Sequence, residues 1–201
     1  MSSLKSYKTI AGSSNGIYKE KGSKFLSYTF HVESEDEIKL IQQRVKKEHH
    51  SASHHCYAFM LGYERNSFRA SDDGEPSGTG GKPILGQINS HELTNILIIV
   101  VRYFGGTLLG TGGLIKAYRA AALCAIQDGT IITRIIKSQI KIQFPYLMMN
   151  QVMRILKDRN ISPKKQEFGE FCEIDAEIPS GDAEIITNKL QHLKGVSVQF
   201  F

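Results

Sequence analysis

Six consecutive apolar residues, Ile96-Leu97-Ile98-Ile99-Val100-Val101, constrain this chain more than any other feature. All but Leu97 are β-formers, and such a run suits a central strand covered on both faces. The sequence offers two helices to pack beside it. Ser34-Glu35-Asp36-Glu37 reads as a capping box, and the helix it opens buries Ile38, Ile41 and Val45. From Leu114 onward, Ala117, Tyr118, Ala121 and Ala125 mark a second amphipathic helix. Further strands are expected over residues 7–11, 16–32 (folding near Lys21-Gly22) and 56–61.

The last third reads more regularly. Ile140, Ile142 and Phe144 alternate with polar residues, and Met148, Val152, Ile155 and Leu156 recur at helical spacing after Pro145. A strand over 161–168 turns at Gly169, and Cys172, Ile174, Ala176 and Ile178 face one way in the next. Pro179-Ser180-Gly181-Asp182 opens a helix bearing Ile185, Ile186, Leu190 and Leu193, and Val196, Val198 and Phe200 alternate at the end. The order βαββαβ is the split βαβ, ferredoxin-like arrangement. The pattern changes between Thr130 and Lys137, so two domains are expected, 1–132 and 137–201, each a sheet with helices on one face.

With 201 residues, 41% hydrophobic and 22% charged, the composition is that of a globular protein. No apolar run approaches the ~18 residues of a membrane span. The opening Met1-Ser2-Ser3-Leu4-Lys5-Ser6 has no apolar h-region, so no secretory leader is expected. Cys56, Cys124 and Cys172 form neither a CxxC pair nor a disulfide framework, which suits a reduced, cytoplasmic protein. A net charge of +5 permits a polyanionic partner without requiring one.

Three segments hold candidate chemistry. Asp72, Asp73 and Glu75 lie within Ser71–Pro83, a stretch with four glycines and two prolines. They read either as a metal, acid/base or basic-partner site, or as a demanding turn whose acids cap neighbouring N–H groups. Gly81-Lys82 is not a phosphate-binding P-loop, because Pro76 and Pro83 stand where Gly and Ser/Thr belong. The second segment, Arg102-Tyr103-Phe104-Gly105-Gly106-Thr107-Leu108-Leu109-Gly110-Thr111-Gly112-Gly113, follows the apolar strand and precedes a helix. Glycines there admit an anion to backbone N–H groups and a helix terminus, or else allow tight backbone packing. Ile115 occupies the third glycine of a dinucleotide pattern. The third, His49–Cys56, invites zinc, but His49 and His50 fall at a helix end and His54 and His55 point to opposite faces of a strand.

The motifs Asp72-Asp73-Gly74-Glu75-Pro76-Ser77-Gly78-Thr79-Gly80-Gly81-Lys82-Pro83 and Val101–Tyr118 closely resemble those of the IMPACT family, in its bacterial two-domain branch. His54-His55-Cys56 and Lys21-Gly22-Ser23-Lys24-Phe25 resemble it too, so the likeness covers essentially the whole chain. It implies an α+β fold. The first domain would be an α/β sandwich like the second domain of a small-subunit ribosomal protein, and the second a ferredoxin-like βαββαβ domain. Together they would resemble domains four and five of elongation factor G. Eukaryotic relatives regulate translation by competing for an activator of an initiation-factor kinase. That partner is not carried over, since it belongs to an additional N-terminal domain not found in these residues.

The resemblance transfers no catalytic residue, and no cofactor or metal is expected. The expected role is a non-enzymatic regulator binding RNA, the ribosome or a translation factor, with no membrane partner. Lys82, Arg102, Lys116 and the backbone of Gly105, Gly106, Gly110, Gly112 and Gly113 would contact phosphates, with Tyr103 and Phe104 stacking on bases. The alternative is a phosphate- or nucleotide-handling enzyme, with Asp72, Asp73 and Glu75 holding magnesium beside the glycine loop.

Overall fold

The computed structural model describes residues 5–201; Met1–Leu4, the start of the segment read for a leader, lie outside the described residues. The chain is mixed α/β and divides into two compact units, one spanning 7–134 and one comprising 135–201 with Lys5 and Ser6. The division falls within two strands, β1 (Ser6–Ile10) and β7 (Ile131–Ile135), which pair as a ribbon. Residues read as a plain boundary thus form a strand.

The larger unit holds β2 (Ser13–Glu20), β3 (Ser23–His31), α1 (Glu35–Glu48), β4 (His54–Leu61), β5 (Ser67–Ser71), α2 (Gly81–Ser90), β6 (Ile96–Tyr103) and α3 (Gly110–Asp128). Its antiparallel sheet runs β2-β3-β6-β4-β5, with the apolar run at the centre in β6. Successive β6 side chains alternate between faces. Ile96, Ile98 and Val100 join a core with Ile84 and Ile88 of α2 and Leu114, Ala117, Tyr118 and Ala121 of α3. Leu97, Ile99 and Val101 join a second core with Ile38 and Val45 of α1. The expectation of helices on one face therefore fails for this unit. A strand with no polar residue over six positions leaves neither face for water, and both are covered.

Local signals explain most of these elements. Lys21 (φ 45°) and Gly22 (φ 81°) supply the two positive φ values of a tight hairpin turn between β2 and β3. The Ser34 hydroxyl accepts the Glu37 N–H at 3.3 Å, while the Glu37 carboxylate accepts the Glu33 N–H at 2.8 Å, one residue before the usual capping-box partner.

Sequence reading missed β5 and α2. Ser67–Ser71 is a largely exposed edge strand with little alternation. Gly80-Gly81-Lys82-Pro83 reads as a turn, yet Pro83 fits the first helical turn, where its missing N–H costs no bond. It also set α3 too late. The helix begins at Gly110, so Gly110, Gly112 and Gly113 belong to its first turn and not to a loop.

The smaller unit holds β8 (Lys137–Pro145), a 3-10 turn at Tyr146–Met148, α4 (Met149–Asp158), β9 (Pro163–Glu167), β10 (Phe171–Pro179), α5 (Ala183–Gln191) and β11 (Ser197–Phe200). The strands are antiparallel in the order β11-β8-β10-β9. Ile140, Ile142, Phe144, Cys172, Ile174 and Ile178 share one core with Val152 and Leu156 of α4 and Ile186 and Leu190 of α5. Lys141 pairs with Glu173 from the intervening positions, which leaves that sheet face polar. Among the described residues no helix is long and apolar enough to cross a membrane.

Candidate functional site

The three acids of the 72–75 segment go to three different partners. Burial pushes the Asp72 carboxyl up, but N–H donors from Gly78, Gly80 and Gly81, at 2.8, 2.9 and 2.8 Å, outweigh it and hold the group below its ordinary value. These donors include the start of α2, so Asp72 caps that helix. Asp73 accepts the His55 N–H at 2.7 Å and pairs with Lys46 at 3.1 Å; these bonds overcome burial and lower it too. Glu75 is buried, and its Oε1 accepts both Arg102 Nη1 and the Tyr118 hydroxyl at 2.7 Å. No cluster of three or more His, Cys, Asp or Glu able to hold a metal occurs among the described residues. Carboxylates so dispersed act as a cap, a strand clamp and a counter-ion.

Arg102 is the cation that Glu75 serves. It lies near the end of β6 with its side chain 6% exposed, and its guanidinium carbon is 5.6 Å from the ring centres of both Phe25 and Phe104. Nη1 reaches Glu75, whereas Nε is buried with no partner. A buried guanidinium with an unmet N–H carries unused donor capacity. The side chain forms part of a hollow of about 470 Å³ whose lining also includes His54, Pro76, Phe104, Leu108 and Thr111.

The first turn of α3 opens onto this hollow through Gly110 and Thr111, with Leu114 of the next turn also in its lining. Its terminal N–H groups have no intrahelical acceptors and carry the positive end of the helix dipole. Ser34 caps α1 and Asp72 caps α2, but α3 has no side-chain cap and no acidic residue in its first turn. The hollow is therefore lined by a helix N-terminus and by the Arg102 side chain. That combination attracts anions.

The remaining candidates are placed unevenly. Phe104 is half exposed at the hollow. Tyr103 is the neighbouring β6 residue and faces the α1 side, where its hydroxyl bonds His49 Nδ1 at 2.9 Å. Lys82 is exposed in a second groove of about 780 Å³, together with Ser77, Gln87 and Arg119. Lys116 is exposed on α3 and lines neither.

Two of the glycines serve the backbone alone. A Cβ on Gly105 would overlap the Gly22–Ser23 backbone, and Gly106 has φ 83°. Gly110, with φ 69°, combines that requirement with a place in the hollow. Gly112 is open, with nothing within 4 Å of an added Cβ, whereas one on Gly113 would meet Leu109.

Of the four histidines in the 49–56 segment, His50 is exposed and the other three have structural partners. His49 lies between the Tyr28 and Tyr103 hydroxyls, His54 Nδ1 donates to the Asp73 carbonyl, and His55 Nε2 donates to the His49 carbonyl. Burial pushes the Cys56 thiol up to about 12, which removes it as a nucleophile at neutral pH. Sequence reading overlooked Tyr118, Thr111 and Arg119. Helical spacing marks Tyr118 only as core, and the role of its hydroxyl emerges from the buried Glu75 carboxylate it bonds.

A family model described as the Impact N-terminal domain matches residues 21–126. An IMPACT family member of Haemophilus influenzae is 40% identical over 125 residues, 61% of this chain, and the match spans only 57% of that protein's length. The IMPACT family member YigZ of Escherichia coli is 31% identical over 181 residues, 89% of each chain. A solved structure described only as a hypothetical protein is 29% identical, covers 98% of this chain and 97% of its own, and superposes with a TM-score of 0.74. With the family model matching over half of its residues and the YigZ alignment running along most of its length, the chain belongs to the IMPACT family.

Proposed function

We propose that this protein is a non-enzymatic, translation-associated regulator that binds RNA on the α3 side of its larger unit. The observation that carries the reading is the Arg102 hollow, which the buried Arg102 side chain lines together with the uncapped start of α3. Phe104, half exposed beside it, offers a face for a base. Lys82 and Arg119 in the second groove, and Lys116 on α3, enter no ion pair among the described residues and are free for phosphates. Membership of the family, whose eukaryotic relatives regulate translation, supports the setting.

The dispersal of Asp72, Asp73 and Glu75 to separate partners weighs against magnesium-dependent phosphate chemistry. The strand order β11-β8-β10-β9 with two helices on one face supports reading the smaller unit as ferredoxin-like. We read the larger one as ribosomal-protein second-domain-like.

The test is the salt dependence of binding to labelled single-stranded RNA by fluorescence anisotropy. Each phosphate contact adds about −0.7 to the log–log slope. The reading expects a slope of at least two such contacts, reduced by Lys82→Glu or Arg119→Glu. No binding at low salt, or affinity indifferent to salt, overturns it.

A further inference from the structure

The Arg102 hollow suits the end of a phosphate chain better than its middle. The guanidinium is 6% exposed and held between two aromatic rings. An internal phosphodiester carries a nucleotide on either side, and that bulk keeps its phosphorus away from a cation set so deep. A phosphate monoester has one substituent and three free oxygens, so it can enter. The donors it would meet are of the right kind and number: the guanidinium, the unbonded N–H groups opening α3 and the Thr111 hydroxyl. Glu75 does not oppose it, because Arg102 and Tyr118 already compensate its charge from within the core. Gly110 offers no side chain to crowd a tetrahedral group, and an added Cβ there would meet nothing within 4 Å. Phe104 and Leu108, the latter 83% exposed, leave apolar surface at the rim for a ribose or base.

We infer that this hollow is a subsite for the phosphate monoester of a nucleotide. That chemistry has two sources, a free ribonucleoside monophosphate and the 5′-phosphorylated end of an RNA strand. Only the second rests on the RNA reading above.

Three probes separate these possibilities at fixed low salt: uridine 5′-monophosphate, an oligouridylate with a 5′-phosphate, and the same oligomer with a 5′-hydroxyl. The inference expects the phosphorylated oligomer to bind about tenfold or more tightly than the hydroxyl form, and the monophosphate to compete with it. Thr111→Glu should erase the difference. That change puts a carboxylate where the helix dipole favours one, so folding is retained. Leu108→Asp places the same charge on an exposed rim position outside the helix, and should act alike. Equal affinity for both oligomers overturns the subsite, and the RNA reading then rests on the groove of Lys82 and Arg119 and no longer on the Arg102 hollow. Binding of the monophosphate but of neither oligomer supports the subsite and overturns the RNA reading. Binding of none of the three overturns both.

Discussion

Glu75 holds the site together from below. It is a carboxylate with its side chain 3% exposed, and one of its oxygens takes both the Arg102 guanidinium and the Tyr118 hydroxyl. Removing one partner of a buried pair leaves the other charged and dry, at a cost of about 3–5 kcal/mol. Glu75→Ala should destabilise the larger unit on that scale in urea unfolding. Tyr118→Phe deletes one hydrogen bond to a charged acceptor and should cost about 1.5–3 kcal/mol.

Asp72 and Asp73 make acid stability a second readout. Both are held below the ordinary carboxylate value by their donors. Their contribution is therefore full above the unfolded-state value of about 3.9 and is lost as pH falls through the folded-state values. Asp72→Asn should flatten that acid limb in melts followed below pH 5, and a wild-type limb retained in the variant would contradict it. Arg102 and Phe104 could be picked out from the sequence because they end the apolar strand beside the glycines. The parity that turns Tyr103 to the other face could not be assigned in the same way, since β6 has no polar face from which to count.

At the scale of elements, the glycines separate by task. Gly105 packs against the Gly22–Ser23 backbone, so Gly105→Ala should unfold or strongly destabilise the β2–β3 hairpin. Gly112 lies within α3 with an open Cβ position and no positive φ. Gly112→Ala should raise stability by about 0.5–1 kcal/mol, seen as a higher melting temperature. The sequence concealed this difference because glycine is equally compatible with a loop, a close contact and a first helical turn. It concealed α2 for the same reason. Ile84 and Ile88 mark its buried side, but two glycines and a proline at its start resemble a turn until Asp72 is seen to cap it. The βαββαβ order of the smaller unit was easier to read, because its strands alternate cleanly over one buried face.

For the whole molecule, the net charge of +5 says less about a partner than where the individual cations lie and which of them are paired. Lys164 and Lys165 form a basic cluster in sequence but pair with Glu177 and Glu167 in the fold. Lys82, Lys116 and Arg119 lie on the α2 and α3 elements of the larger unit. An RNA-binding surface on that unit alone predicts that Lys164→Glu leaves RNA affinity and its salt slope unchanged.

The most direct measurement of the central claim compares RNA affinity with thermal melting for Thr111→Glu. The account predicts a melting temperature equal to or above that of the original protein, because a carboxylate suits the uncapped start of α3. It predicts at the same time about a tenfold or greater loss of affinity for 5′-phosphorylated RNA. Unchanged affinity in a protein that melts normally would contradict it.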